Sequence, residues 1–149
     1  MSMLSAARRQ AFIDAPLPIV WDLLSDVSRH PEWWPRVIEV ECEGLEEGCT
    51  YRAVMKGPVG KEDMTINVES LSECQDLLIR CVNTGTYVHM ALTEARGGTF
   101  LDAEAGMEAK DFGHRVWDTV AGQRYFRSWM SQTLEALERV ACAKESAKA

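Results

Sequence analysis

The clearest regularity in the chain is a change in the period of its apolar residues. Val20, Trp21, Leu23, Leu24 and Val27 recur three and four apart, which predicts one apolar stripe on a helix of about two to three turns. Ahead of it, Arg8 to Asp14 reads as a short strand, stopped by Ala15, Pro16 and Pro18. Behind it, Ser28 to Pro35 (SRHPEWWP) combines a capping-type serine, two prolines and adjacent tryptophans, the signature of a short helical turn ending in a fixed loop. From Val37 to Met107 the period falls to two, and strands alternate with turn signals as in an antiparallel meander of hairpins. The turns fall at Glu46 to Gly48, Gly57 to Gly60, Ser72 to Asp76, Asn83 to Gly85, and Gly97 with Gly98. The last pair is the strongest signal, because two residues that tolerate positive φ match the twist of a tight hairpin. Val116 to Ala141 then returns to helical spacing through Phe126, Trp129, Met130, Thr133, Leu134, Leu137 and Val140. Gly122 interrupts that helix at a cost of about 1 kcal/mol relative to alanine.

Side chains of a strand alternate between faces, so each strand divides into two sets. One set is apolar: Ile38, Val40, Cys42; Tyr51, Ala53, Met55; Met64, Ile66, Val68; Leu77, Ile79, Cys81; Val88, Met90, Leu92; Leu101, Ala103, Ala105, Met107. The other is polar, with Glu39, Glu41, Glu43, Arg52, Lys56, Thr65, Asn67, Glu69, Arg80, His89, Thr93, Asp102, Glu104 and Glu108. An α+β domain follows, with a seven-stranded antiparallel sheet covered on one face by the long helix and solvated on the other. The covered face is rich in methionine (Met55, Met64, Met90, Met107, with Met130 on the helix) and small residues, a wall able to adapt to guests of differing shape or to close into an ordinary core.

Composition narrows the partners. The 149 residues suit a single domain, 1–149, with a frayed tail over about 144–149. A net charge of -7 and a pI near 5.0 argue against nucleic acid, whose binding rests on Lys and Arg neutralising phosphates. Neither a signal-peptide core nor a bilayer-length apolar run occurs, so the expectation is a cytoplasmic protein, monomer or homodimer, without stable membrane insertion. The five cysteines form no CxxC pair and read as reduced thiols.

The stretch FIDAPLPIVWDLLSDVSRHPEWWPRV, Phe12 to Val37, resembles the N-terminal signature of START-like proteins, the SRPBCC superfamily of polyketide cyclase/dehydrase-like and lipid-transfer proteins. TEARGGTFLDAEAGMEA resembles that family's penultimate hairpin and TLEALERV its last helix, so the likeness spans almost the whole chain. It implies a helix-grip fold, with a curved sheet wrapped around the C-terminal helix, two short helices between strands 1 and 2, and an internal cavity. Members of that superfamily bind lipids, sterols, polyketides, hormones or quinones, assist chaperones, or catalyse cyclisation, so the fold alone does not choose among them.

Candidate ligand contacts are Trp33, Tyr51, Ala53, Met55, Met64, Ile66, Ile79, Met90, Ala103, Ala105, Met107, Phe126, Trp129 and Met130. Trp34 is assigned to structure by analogy with the family's loop. Arg36, Asn83, Thr84, His114 and Arg115 fall at strand ends or loops, where a pocket mouth would lie. Chemistry needs an acid or base within reach of the substrate, and the covered face offers only Tyr51. His30, His89 and His114 have no metal-ligand spacing, and no phosphate loop, nucleophile elbow or paired carboxylate occurs. The expectation is therefore binding or transport of an apolar small molecule, with no catalytic residue, metal or cofactor assigned. Two alternatives stand beside it: a polyketide cyclase or dehydratase using Tyr51, Arg36 or His114, and a chaperone-associated interaction module.

Overall fold

The computed structural model describes residues 3–57, 60–108 and 120–148. In chain order the elements are β1 (Met3–Ile13), α1 (Leu17–Ser25), a 3-10 turn (Val27–Arg29), α2 (His30–Trp33), β2 (Val37–Glu41), β3 (Thr50–Lys56), β4 (Lys61–Ser72), β5 (Asp76–Cys81), β6 (Thr86–Ala95), β7 (Gly98–Glu108) and α3 (Val120–Lys148). The strands form one antiparallel sheet in the order β1-β7-β6-β5-β4-β3-β2. Strands β2 to β7 run as a meander, and the N-terminal strand returns to pair beside the last one. This is the helix-grip α+β architecture, with two short helices between β1 and β2.

Strand β1 starts earlier than the pattern predicts because β7 is long enough to pair it from Met3 to Ile13. Helix α3 continues to Lys148. Pro58, Val59, His114, Arg115 and the expected helix onset at Val116 lie outside the described residues.

Alternation places most of the inner face correctly: Ala53, Met64, Ile66, Val68, Leu77, Ile79, Met90, Leu101, Ala103 and Ala105 are all buried. Ile38 breaks the rule. The register between β2 and β3 shifts between Val37 and Glu39, so Ile38 is an extra residue with no partner of its own. This bulge turns Ile38 outward, where it is 40% exposed, and leaves Val37 and Val40 packed against the core.

The last hairpin also departs by one residue. Its two positive-φ residues are Arg96 (φ 55°) and Gly97 (φ 78°), and Ala95 pairs with Gly98. Gly98 is instead required by crowding, since a Cβ there would stand 2.6 Å from the Ile13 carbonyl oxygen and 2.6 Å from the Phe12 ring. Thr99 next to it is fully buried and donates to the Ala15 carbonyl at 2.9 Å, tying β7 to the start of α1.

Helix α3 lies against β1, β7 and α1, which is one side of the concave face. There Ala103, Ala105, Met130, Leu137 and Phe126 are at most 1% exposed and form a filled core. On the convex face Arg52 bridges the acidic residues Glu39, Glu41 and Asp63, which remain solvated. Tyr87 belongs to that face too, buried because Arg80 lies 5.1 Å over its ring while its hydroxyl donates to Glu104 at 2.6 Å.

Candidate functional site

Away from α3 the inner face is covered by aromatic side chains. Pro31 stands in the first positions of the single turn of α2, and His30, Trp33 and Trp34 are spaced so that the turn brings them together. Trp33 and Trp34 stack with centroids 5.2 Å apart and planes 16° apart, and His30 meets Trp34 edge-on at 4.7 Å. Trp129 of α3 approaches Trp34 at 6.3 Å and donates its Nε1–H to the Pro35 carbonyl at 2.9 Å, which fixes the Trp-Pro loop to the helix. Arg36 then takes φ 73°, a left-handed conformation that turns the chain into β2. That conformation costs an arginine on the order of 1 kcal/mol. Its carbonyl accepts from the Lys56 N–H at 2.7 Å, and its guanidinium lies 4.7 Å from the Tyr125 ring centroid.

Between this aromatic cover and strands β2 to β6 lies a cavity lined by His30, Trp34, Val37, Val40, Tyr51, Ala53, Met55, Met64, Ile66, Ile79, Arg80, Cys81, Thr86, Val88 and Trp129. It holds about 460 Å³ of unfilled space when the part open to solvent is counted, but the centre of a water-sized sphere reaches only about 40 Å³ of it. That is room for a few waters. A larger guest must displace side chains, and the flexible Met55 and Met64 in the wall are suited to moving.

Of the residues expected to touch a ligand, Tyr51, Ala53, Met55, Met64, Ile66, Ile79 and Trp129 come together around this space. Met90, Ala103, Ala105, Phe126 and Met130 lie in the filled core beneath α3, and Met107 packs against that core while half-buried. Trp33 stands behind Trp34, 6% exposed, rather than at an entrance. The lining adds Trp34, which sequence reasoning gives a structural role, and His30, whose spacing to Trp33 and Trp34 is the signal that could have found it. Asn83 and Thr84 serve their turn: Asn83 Oδ1 accepts from Thr65 N–H at 3.1 Å and Thr84 Oγ1 accepts from Thr86 N–H at 3.2 Å.

The lining carries one charged group, Arg80, which donates to the Glu69 carboxylate at 2.7 Å, and two neutral titratable groups, His30 and Tyr51. His30 is 2% exposed, with Nε2–H donating to the Leu24 carbonyl at 2.8 Å, and burial lowers its pKa to about 4. The imidazole is therefore neutral at neutral pH. Burial likewise raises the Tyr51 phenol well above its ordinary range. Three buried donors have no acceptor among the described residues: Trp33 Nε1, Trp34 Nε1 and Arg36 Nε. On the convex face, Ser70 donates to Asp76 at 2.7 Å and His89 pairs with the same carboxylate. The carboxylate stands in the middle, so the histidine is not placed to deprotonate the serine, unlike a hydrolytic triad. No metal-binding group of three or more His, Cys, Asp or Glu exists among the described residues, and none of their helices is long and apolar enough to cross a membrane.

Solved structures share this fold at low sequence identity. Protein NE0264 from Nitrosomonas europaea is 16% identical with a TM-score of 0.75, the alignment covering 96% of this chain and 97% of that one. The di-domain ARO/CYC StfQ from the steffimycin biosynthetic pathway is 18% identical with a TM-score of 0.72, covering 96% of this chain and 51% of that one. Ara h 8.0201 is 9% identical with a TM-score of 0.69, covering 93% and 97%. No curated protein matches the sequence. The sequence profile described as polyketide cyclase / dehydrase and lipid transport matches residues 13–140, nearly the full length, and the chain belongs to that family.

Proposed function

We propose that the protein binds and carries an apolar small molecule, a lipid, isoprenoid or polyketide-like compound, in the cavity between β2 to β6 and the aromatic cover of Trp34 and Trp129. The carrying observation is the character of the wall: mostly aliphatic, methionine and indole surface, with His30 and Tyr51 held neutral by burial and its one charged residue, Arg80, already paired with Glu69. Such a wall holds a guest by shape and dispersion. A cyclase or dehydratase would need an acid or base with a pKa near the working pH. His30, with a pKa of about 4 and its N–H committed to Leu24, is a poor base at neutrality. The net charge of -7 supports a role without nucleic acid, and the five free cysteines support a reducing, cytoplasmic setting for a monomer or homodimer.

The test is uptake of a neutral apolar fluorophore, N-phenyl-1-naphthylamine, by purified protein, together with native mass spectrometry of the protein as isolated. The expected result is saturable uptake at one site with enhanced emission. No saturable uptake and no bound species would overturn the reading.

A further inference from the structure

Resting on that binding role, we infer that the guest is an apolar acid whose carboxylate meets Arg36 at the rim of the cavity. The chain places Arg36 between two cavity-forming neighbours: Pro35, whose carbonyl anchors Trp129, and Val37, which lines the wall. Its carbonyl is hydrogen-bonded to Lys56, directly after the lining residue Met55. Arg36 thus sits where two strand ends meet the helix, next in the chain to residues that line the space, with its guanidinium over Tyr125 and not itself part of the lining.

Three buried side-chain atoms without a partner among the described residues all lie within Trp33 to Arg36, and all three are donors. A buried donor left unmade costs about 1–3 kcal/mol, more when the group is charged. The shared deficit identifies the missing partner as an acceptor. Because one of the three belongs to a guanidinium, which stays protonated, the acceptor that best completes the site is an anion. Arg36 forms no ion pair among the described residues, in contrast with Arg8, Arg29, Arg52 and Arg80, each of which holds a carboxylate.

Geometry narrows the anion further. The Arg36 guanidinium is stacked over the Tyr125 ring at 4.7 Å, which occupies a face and leaves the in-plane donors for a planar, two-oxygen partner. A carboxylate matches that fork. The Trp34 ring is part of the cavity wall, and its Nε1–H, buried and without an acceptor among the described residues, is a second donor that an oxygen of the guest would satisfy. The backbone supports the arrangement, since φ 73° at Arg36 is a strained conformation retained at the residue that carries the charge.

The experiment compares decanoic acid with methyl decanoate, both below their aggregation limits, as competitors of N-phenyl-1-naphthylamine at about pH 7.5. The two share a chain and differ in the anion. In the wild-type protein the acid is expected to compete about tenfold or more better than the ester, as a charge-assisted hydrogen bond implies. In Arg36→Met that ratio falls to about one, and in Arg36→Lys, which keeps the charge without the planar fork, it falls part of the way. The ratio within each protein is the readout, so a general loss of affinity does not imitate the effect. Equal competition by acid and ester in the wild type overturns the inference while leaving the apolar carrier intact. An acid preference that survives in Arg36→Met overturns the assignment to Arg36. Failure of the fluorophore itself to bind the wild type removes both.

Discussion

Acidification should destabilise this protein through one buried histidine. His30 is 2% exposed, caged by Trp33, Trp34 and the Leu24 carbonyl, and its folded-state pKa is about 4 against an ordinary 6.5. The unfolded chain therefore takes up a proton as the pH falls through 6.5, whereas the folded chain resists until about 4. Stability is fully present above 6.5, is lost between 6.5 and 4, and loses nothing more from this group below that range. At 1.36 kcal/mol for each pH unit of the gap, the whole loss is roughly 3 kcal/mol, of which about 2 kcal/mol has gone by pH 5. The carboxylates of Asp76 and Asp102 are also held below their ordinary 3.8, so their contributions are lost at lower pH and do not confuse this window. The assay is urea unfolding at about pH 7.5, 6.5, 5.5 and 5, followed by tryptophan emission, for the wild type and for His30→Gln. Glutamine retains an N–H for the Leu24 carbonyl and cannot titrate. The wild type should start more stable and lose its advantage by about 2 kcal/mol as the pH falls to 5. Parallel curves for the two proteins would refute the reasoning.

Other expectations follow from single contacts. Gly98→Ala should destabilise by about 1–3 kcal/mol in chemical unfolding because its Cβ meets the Ile13 carbonyl oxygen at 2.6 Å, a backbone atom that cannot swing aside. Gly97→Ala, with φ 78° and nothing within 4 Å of the added carbon, should cost about 1 kcal/mol from conformation alone. Trp129→Phe removes the donor to Pro35 and should cost about 1–3 kcal/mol, with weaker fluorophore binding because the Trp-Pro loop is no longer tied to α3. Ala53→Leu extends into the cavity and should lower fluorophore affinity at least tenfold; an unchanged affinity would place the guest elsewhere.

The fold was legible because its carriers are local. Pro16 and Pro18, the stripe from Val20 to Val27, the turn residues and the alternation from β3 to β7 each specify their element without long-range information. Errors arose where one residue changes the count. The extra residue at Ile38 inverts the parity at the start of β2 while Val40 keeps its inward place, and a bulge leaves no mark in a run such as VIEVE. At the last hairpin the two adjacent glycines have different causes, positive φ at Gly97 and crowding at Gly98, and the second depends on β1, which lies far away in sequence. The site was half legible for a related reason. Alternation says which side chains face inward but not which part of the concave face α3 covers. Because the helix lies over β1 and β7, Met90, Ala103, Ala105 and Met130 are spent on packing, while Ala53, Met55 and Met64 meet empty space. The unpaired donors of Trp33, Trp34 and Arg36 belong to three-dimensional accounting and leave no pattern in the chain.

That division between filled core and open cavity is what the carrier account rests on, and methionine methyl groups report it directly. With methyl-labelled methionine and N-phenyl-1-naphthylamine bound, intermolecular nuclear Overhauser contacts should appear at Met55 and Met64, which line the cavity, and be absent at Met90 and at Met130 of α3, which are fully buried in the filled core. Contacts at Met90 or Met130 without contacts at Met55 and Met64, or none at any of the four, would contradict it.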